Sequence, residues 1–160
     1  MTRQVFVDLD DTVADTSGHH ERLHGWRPNT QPERRIDWEA IGPEFYDELP
    51  MLPDANELLL GIRALGKVPT FITGVKVNPA KERLVREYGN AKRRWIRRNI
   101  GTGYQVITCP PQLKYMWCAP GDIIIDDWPK YRTAWERAGG HWILHTSAKL
   151  SLAELRGLLP

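Results

Sequence analysis

Short apolar runs alternate with amphipathic stretches along most of this chain. Five runs have the length and composition of strands: residues 4–9, 68–72, 104–107, 122–125 and 141–144. The fourth carries Ile123-Ile124-Ile125, and an unbroken β-branched run reads as a strand buried on both faces. Helix signals lie between the runs. Asp54-Ala55-Asn56-Glu57 has capping-box spacing and predicts a helix over 55–65, closed by Gly66. Asn78-Pro79 predicts a helix start leading to Tyr88. Gly89-Asn90 predicts an interruption there, with the helix resuming over 91–99. Pro129 predicts a helix through Ala138, and Ser151 with Glu154 predicts the cap of the last one. Alternation of this kind predicts an α/β fold, a doubly wound parallel sheet flanked by helices.

Residues 16–53 break the rhythm. They hold Gly18, Gly25, Pro28, Pro32, Gly42, Pro43, Pro50 and Pro53, together with Trp26 and Trp38. The stretch is too long for an ordinary βα loop. It predicts a small helical cap inserted after the first strand, within one domain spanning residues 1–160. Open α/β sheets bind ligands at the carboxyl ends of their strands, so an insertion there is a candidate lid.

Acidic residues cluster at strand ends. Asp8 and Asp10 end the first strand, and side chains two apart in extended chain point the same way. Asp126-Asp127 ends the fourth strand, at the same edge of a parallel sheet. Carboxylates are hard oxygen donors, and converging like charges call for a cation, which points to Mg²⁺. Thr73 and Gly74 follow the second strand, where a hydroxyl and free backbone N–H groups can hold phosphoryl oxygens. Lys114 lies between the third and fourth strands and joins this set.

Composition changes the picture little. The 160 residues are 41% hydrophobic and 26% charged, as in an ordinary one-domain globular protein. A net charge of +2 gives no argument for bulk nucleic-acid binding. Lys92, Arg93, Arg94, Arg97 and Arg98 crowd one segment, which reads as a solvated helix face, with attraction of an anionic substrate as the sharper reading. Cys109 and Cys118 form no CxxC pair and read as buried thiols in a reducing cytoplasm, with a disulfide left open. No apolar stretch approaches the roughly 20 residues of a membrane helix, so no membrane partner is expected. His20-Glu21-Arg22-Leu23-His24 matches a zinc-protease pattern by letter and reads as chance. Asp11 and Asp15 read as turn or capping carboxylates. Trp38, Phe45 and Tyr46 read equally as base-stacking surfaces and as anchors of the insertion.

Together, Asp8-Leu9-Asp10-Asp11-Thr12, Thr73-Gly74, Lys114 and Asp126-Asp127 resemble the four motifs of the haloacid dehalogenase (HAD) superfamily, in order and across essentially the whole chain. Residues 44–53, Ala91-Lys92-Arg93-Arg94-Trp95 and the strand leading into Asp126-Asp127 further resemble the 5'(3')-deoxyribonucleotidases. The chain departs from that family at Asp11, where Gly is usual, at Gly74, where Ser is usual, and in a longer segment between Thr73 and Trp95. The resemblance implies a HAD-like, Rossmannoid fold and a phosphomonoesterase. In it Asp8 is the nucleophile and Asp10 the acid–base partner. Mg²⁺ is held by Asp8, the Asp10 carbonyl and one of Asp126 or Asp127. Thr73, Gly74 and Lys114 hold the phosphoryl group; Trp38 is a candidate substrate contact from its place on the cap, not from the resemblance. The implied substrate is a small phosphorylated molecule, a (deoxy)ribonucleoside monophosphate first. The alternatives are another phosphorylated metabolite, a 3'-phosphate on a nucleic-acid end, supported only by the basic segment, or a non-catalytic phosphate-binding module.

Overall fold

A computed structural model describes residues 3–30 and 33–159; Pro32 of the insertion lies outside them. The sheet is built from β1 (Val5–Val7), β2 (Thr70–Gly74), β3 (Val106–Cys109), β4 (Ile123–Asp126) and β5 (His141–Leu144). The strand order is β3-β2-β1-β4-β5, and every pair is parallel. The chain therefore runs outward from β1 through β2 to β3, then crosses to the other side of β1 for β4 and β5. That reversal puts a topological switch point between β1 and β4, where open α/β sheets form their ligand crevice.

The period of two divides the core. Val5, Val7, Ile123 and Ile125 face one layer, in which α3 (Ala55–Ala64), α4 (Glu82–Asn99) and α6 (Ala148–Leu158) bury Leu58, Ile62, Trp95, Ile96, Leu152 and Leu155. Phe6, Ile72, Ile107 and Ile124 face the other, thinner layer, where Trp135 of α5 (Arg132–Arg137) packs edge-on to Phe6. The expectation for Ile123-Ile124-Ile125 holds: all three are buried, on alternating faces.

Several boundaries move. β2 starts at Thr70, after an exposed Val68, and continues through Gly74, so Thr73 and Gly74 lie within the strand. β3 starts at Val106, because Tyr104 turns aside to pack its ring on Phe71. The Asp54 side chain caps no N–H of its own helix α3; it accepts instead from Ala148 N at 2.7 Å and pins the start of α6. Ser147, not Ser151, caps α6, and Ser151 is buried against His145 Nδ1 at 2.9 Å. Pro129–Tyr131 is a 3₁₀ turn, and α5 begins after it.

The largest correction concerns α4. It runs unbroken through Gly89-Asn90 for 18 residues. Tertiary packing overrides the local breaker: a Cβ on Gly89 would stand 3.2 Å from Thr108 Oγ1, so glycine lets α4 lie close on β3. The same helix holds the insertion, which contains α1 (Thr16–His24), α2 (Trp38–Ile41) and a 3₁₀ turn at Pro43–Tyr46. Tyr88 donates its hydroxyl to the Trp38 carbonyl, Trp95 Nε1 donates to Leu49 O at 2.7 Å, and Arg98 donates to Tyr46 O at 3.0 Å.

Candidate active site

Asp8 and Asp10 follow the end of β1 and are both buried, and Leu9 between them is fully buried in the main core. Asp10 is followed by Asp11 in the left-handed region, at φ 57°. Asp is one of the few non-glycine residues that adopt this conformation readily, which accounts for Asp where the resembling family has Gly. The Asp11 carboxylate is then held by the Ser17 N–H at 2.7 Å and by the Ser17 hydroxyl, while Asp15 caps α1 through Gly18 N at 3.1 Å.

Two buried lysines divide the carboxylates. Lys114, on a 3₁₀ segment at Pro111–Trp117, places Nζ 2.8 Å from Asp8 Oδ1 and 2.6 Å from Asp126 Oδ2. Burial alone would pull this ammonium down, and Asp8 with Asp126 push it above the ordinary lysine value. Asp126 also accepts from Trp128 N at 2.9 Å, so both its oxygens have partners. Asp127 accepts from the Thr12 hydroxyl at 3.3 Å. Burial, then the charges of Asp8 and Asp126, push the Asp127 carboxyl up to about 8. Burial likewise raises Asp8 to about 6, against the pull of Lys114.

The second lysine is Lys92. The sequence pattern places it in a solvated basic run, and the structure corrects this: Lys92 is buried and ion-paired with Asp10. Its ammonium also donates to Thr73 Oγ1 at 3.0 Å and to the Gly74 carbonyl at 2.7 Å. Asp10 Oδ1 meanwhile accepts from Thr16 at 2.8 Å and from the Tyr46 hydroxyl at 2.7 Å. Thr73 Oγ1 stands 3.5 Å from Asp10 Oδ2. Burial would raise the Asp10 carboxyl, but Lys92, Lys76 and the hydrogen bonds from Lys92 and Tyr46 hold it well below the usual carboxylate range. Sequence reasoning missed Lys92, Tyr46 and Thr16 as neighbours of Asp10. One signal was present for Lys92: it shares a helical face with Tyr88, Trp95 and Ile96, all buried.

The expected residues thus converge. Asp8, Asp10, Gly74, Lys114, Asp126 and Asp127 all border one cavity of about 570 Å³, with Thr73 fully buried beside Asp10. Gly74 is also explained: a Cβ there would stand 2.8 Å from Pro111 Cβ. Trp38 borders the same cavity but is mostly buried, edge-on to Phe45 and Tyr88 and stacked on Tyr46, so it anchors the insertion as well. Elsewhere, His20 and His24 lie ring against ring, with His20 Nδ1 on the Trp26 carbonyl. Among the described residues the one group spaced to hold a metal ion is Asp8, Asp126 and Asp127. Cys109 and Cys118 are both free thiols, and burial pushes each up to about 11.

One carboxylate oxygen from each of that trio lies within 4.8 Å of the other two. The ion pair at Asp8 Oδ1 is not aligned as a hydrogen bond, so this buried atom has no hydrogen-bond donor among the described residues. Three carboxylates spaced in this way are a set of hard oxygen donors that fits Mg²⁺.

The all-parallel sheet ordered β3-β2-β1-β4-β5 is a fold this chain has in common with solved structures of HAD hydrolases. The chain shares it across nearly its whole length with a HAD family hydrolase from Deinococcus radiodurans solved with bound phosphate and sodium (TM-score 0.53, 17% identity, 99% of this chain and 97% of that one). It is also similar to a haloacid dehalogenase-like hydrolase from Xanthomonas campestris (TM-score 0.57, 11% identity, 98% and 96%). A third similar structure is the D,D-heptose 1,7-bisphosphate phosphatase of Burkholderia thailandensis (TM-score 0.53, 10% identity, 97% and 99%). No family model and no curated protein matches the sequence.

Proposed function

We propose that this chain is a Mg²⁺-dependent phosphomonoesterase that forms an aspartyl-phosphate on Asp8. The observation that carries the reading is the buried Lys114 placed between Asp8 and Asp126, with Asp127 beside them and the whole set open to one cavity. A carboxylate at the floor of such a cavity, flanked by a fixed ammonium, can approach phosphorus where an isolated carboxylate would be repelled. Asp8 attacks, the ester oxygen departs with a proton, and water then cleaves the acyl phosphate to release inorganic phosphate. Asp10 is the acid–base partner for both halves. Lys114 holds the phosphoryl oxygens as charge builds on them, and Thr73 and Gly74 frame the same pocket. Asp8, the Asp10 carbonyl and Asp127 would hold Mg²⁺, which supplies charge that offsets the clash between carboxylate and phosphate. Asp127 is favoured over Asp126 because both Asp126 oxygens already have donors.

Metal binding has a pH signature. Without a cation, Asp8 and Asp127 have folded-state values above the ordinary 3.8, near 6 and 8. Raised carboxyls favour the folded state at low pH and lose that contribution as pH climbs from about 4 through these values. Mg²⁺ competes with the protons, so its gain in Tm grows from pH 5 to pH 8 in thermal melts. A gain of equal size at both pH values contradicts the site.

For the substrate, the cavity mouth favours a small anion with a flat leaving group. Arg34, Lys76 and Lys130 border it together with Trp26, Trp38 and Trp128. Aromatic faces suit a base and the cations suit its phosphate, which supports a nucleoside monophosphate. The nucleic-acid alternative loses support, because Lys92 is buried and Arg93 donates to Thr108 at 2.8 Å. Free thiols suit a cytoplasmic setting. The test compares dUMP and dTMP with a 3'-phosphorylated oligonucleotide at low and high salt. Mg²⁺-dependent phosphate release from the mononucleotides, weakly sensitive to salt, is expected. Steeply salt-sensitive turnover of the oligonucleotide favours the alternative, and no divalent-dependent release from any ester overturns the phosphatase reading.

A further inference from the structure

Three exposed cations stand around the mouth of the active-site cavity: Arg34 of the insertion, Lys76 after β2 and Lys130 after β4. None has a carboxylate within ion-pair distance among the described residues. Each is held instead over an aromatic ring that borders the same cavity. The Arg34 guanidinium lies 5.4 Å from the centroid of the Trp26 ring, Lys76 Nζ 6.0 Å from that of Trp38, and Lys130 Nζ 5.5 Å from that of Tyr131. A salt bridge would neutralise such a cation. A ring face steadies it and leaves its charge to be met by something else. The floor of the cavity does not meet it. Asp8 and Asp126 are paired by Lys114 and Asp10 by Lys92, while Asp11 is held by Ser17 and Asp127 by Thr12. Lys76 faces that floor, since its charge pulls down the carboxyls of Asp10, Asp11 and Asp127, yet it pairs with none of them. A monophosphate does not meet it either. Its one phosphate is taken at the floor, by the buried Asp8 and Lys114, and a neutral nucleoside is left against three positive charges.

We propose that Arg34, Lys76 and Lys130 form a seat for a second phosphate, so that the substrate is a phosphomonoester whose leaving group is itself phosphorylated, a nucleoside bisphosphate. The inference rests on the phosphatase reading and narrows its substrate. One phosphate lies at the floor beside Lys114, and the other accepts charge-assisted hydrogen bonds from the rim. A phosphate, close to doubly charged at neutral pH, suits three cations better than the single charge of a carboxylate. Trp128 serves the base: it is exposed on the same rim, with no cation over its ring among the described residues. The net step is still hydrolysis. The ester P–O bond breaks, water supplies a hydroxyl to phosphorus and a proton to the leaving oxygen, and inorganic phosphate and a nucleoside monophosphate are released.

The probe is thymidine 3',5'-bisphosphate, compared with dTMP at fixed free Mg²⁺ and low salt. Phosphate release from the bisphosphate is expected with kcat/KM about tenfold or more above that of dTMP, the gain lying in KM. Added salt narrows the gap, because the rim is open to solvent. In Lys76→Gln and in Arg34→Gln the ratio of the two kcat/KM values falls severalfold, and in the double variant it approaches one. Both side chains are exposed, so an unchanged Tm accompanies the fall. Lys130→Gln moves the ratio the same way and serves where either variant misfolds. A ratio at or below one in the wild-type protein overturns the proposal and leaves the phosphatase reading standing. So does a preference that survives the double variant, since the second phosphate then sits elsewhere. A wild-type protein that releases phosphate from neither ester with Mg²⁺ overturns the phosphatase reading itself, and this inference falls with it.

Discussion

Asp8→Asn removes turnover, by on the order of 10⁴-fold or more, the scale on which covalent enzymes depend on their nucleophile. The substitution is nearly isosteric, so its effect is chemical. Asn cannot attack phosphorus, and no neighbour replaces it: Asp126 is engaged by Lys114 and Trp128 N, and Asp10 by Lys92. The same variant keeps its fold. Burial holds Asp8 near 6, so the folded protein favours its neutral form, and a neutral Asn relieves charge crowding above that pH. A Tm at or above wild type in chelator at pH 8 is expected, together with a reduced Mg²⁺ gain. Loss of activity with retained stability is the mark of a group kept for chemistry rather than for folding. A melting curve beside a phosphate-release assay checks both halves, and residual activity within tenfold of wild type removes Asp8 from the nucleophile's role.

Lys114→Met has the opposite stability sign. Lys114 is the one cation within ion-pair distance of both Asp8 and Asp126 among the described residues. Its removal leaves two buried carboxylates facing each other, and breaking a buried charge network from one side costs about 3–5 kcal/mol. The loss is greatest at pH 8, where Asp8 is charged, and eases toward pH 5 as protonation of Asp8 replaces the missing cation. Mg²⁺ recovers part of it. Activity falls by about 10²–10³-fold even under conditions that keep the protein folded, because a fixed donor to the phosphoryl oxygens is gone. Denaturant titrations at the two pH values, with and without Mg²⁺, check the sign, and a pH-independent loss contradicts it.

These two residues were legible in the sequence for a shared reason. Asp8, Thr73, Lys114 and Asp126-Asp127 each accompany a strand-like run, and a parallel sheet delivers all strand ends to one edge. Local order was enough to bring them together. Lys92 was not legible in this way. Counting charge along Lys92 to Arg98 averages over a helix whose residues point in different directions, and the one buried lysine is hidden among arginines of which Arg94, Arg97 and Arg98 are exposed. The face it shares with Tyr88 and Trp95 carries the information, and that requires an unbroken helix, which the Gly89-Asn90 signal argued against. The Asp54 carboxylate shows the same limit: its spacing fits a cap for its own helix, yet its partner is Ala148, distant in sequence. The insertion was visible as a change of rhythm. Its attachment to α4 through Trp95, Tyr88 and Arg98 depends on backbone carbonyls of the insertion, which carry no sequence signal.

The covalent intermediate is the centre of the account, and it can be trapped. Acid quench of the enzyme during steady turnover, followed by borohydride reduction, converts an acyl phosphate to an alcohol and leaves a free carboxylate unchanged. Peptide mass analysis is expected to find residue 8 as homoserine, dependent on substrate and Mg²⁺, with Asp10, Asp126 and Asp127 unaltered. Reduction at another of these aspartates, or none at residue 8 while phosphate is being released, would contradict Asp8 as the nucleophile.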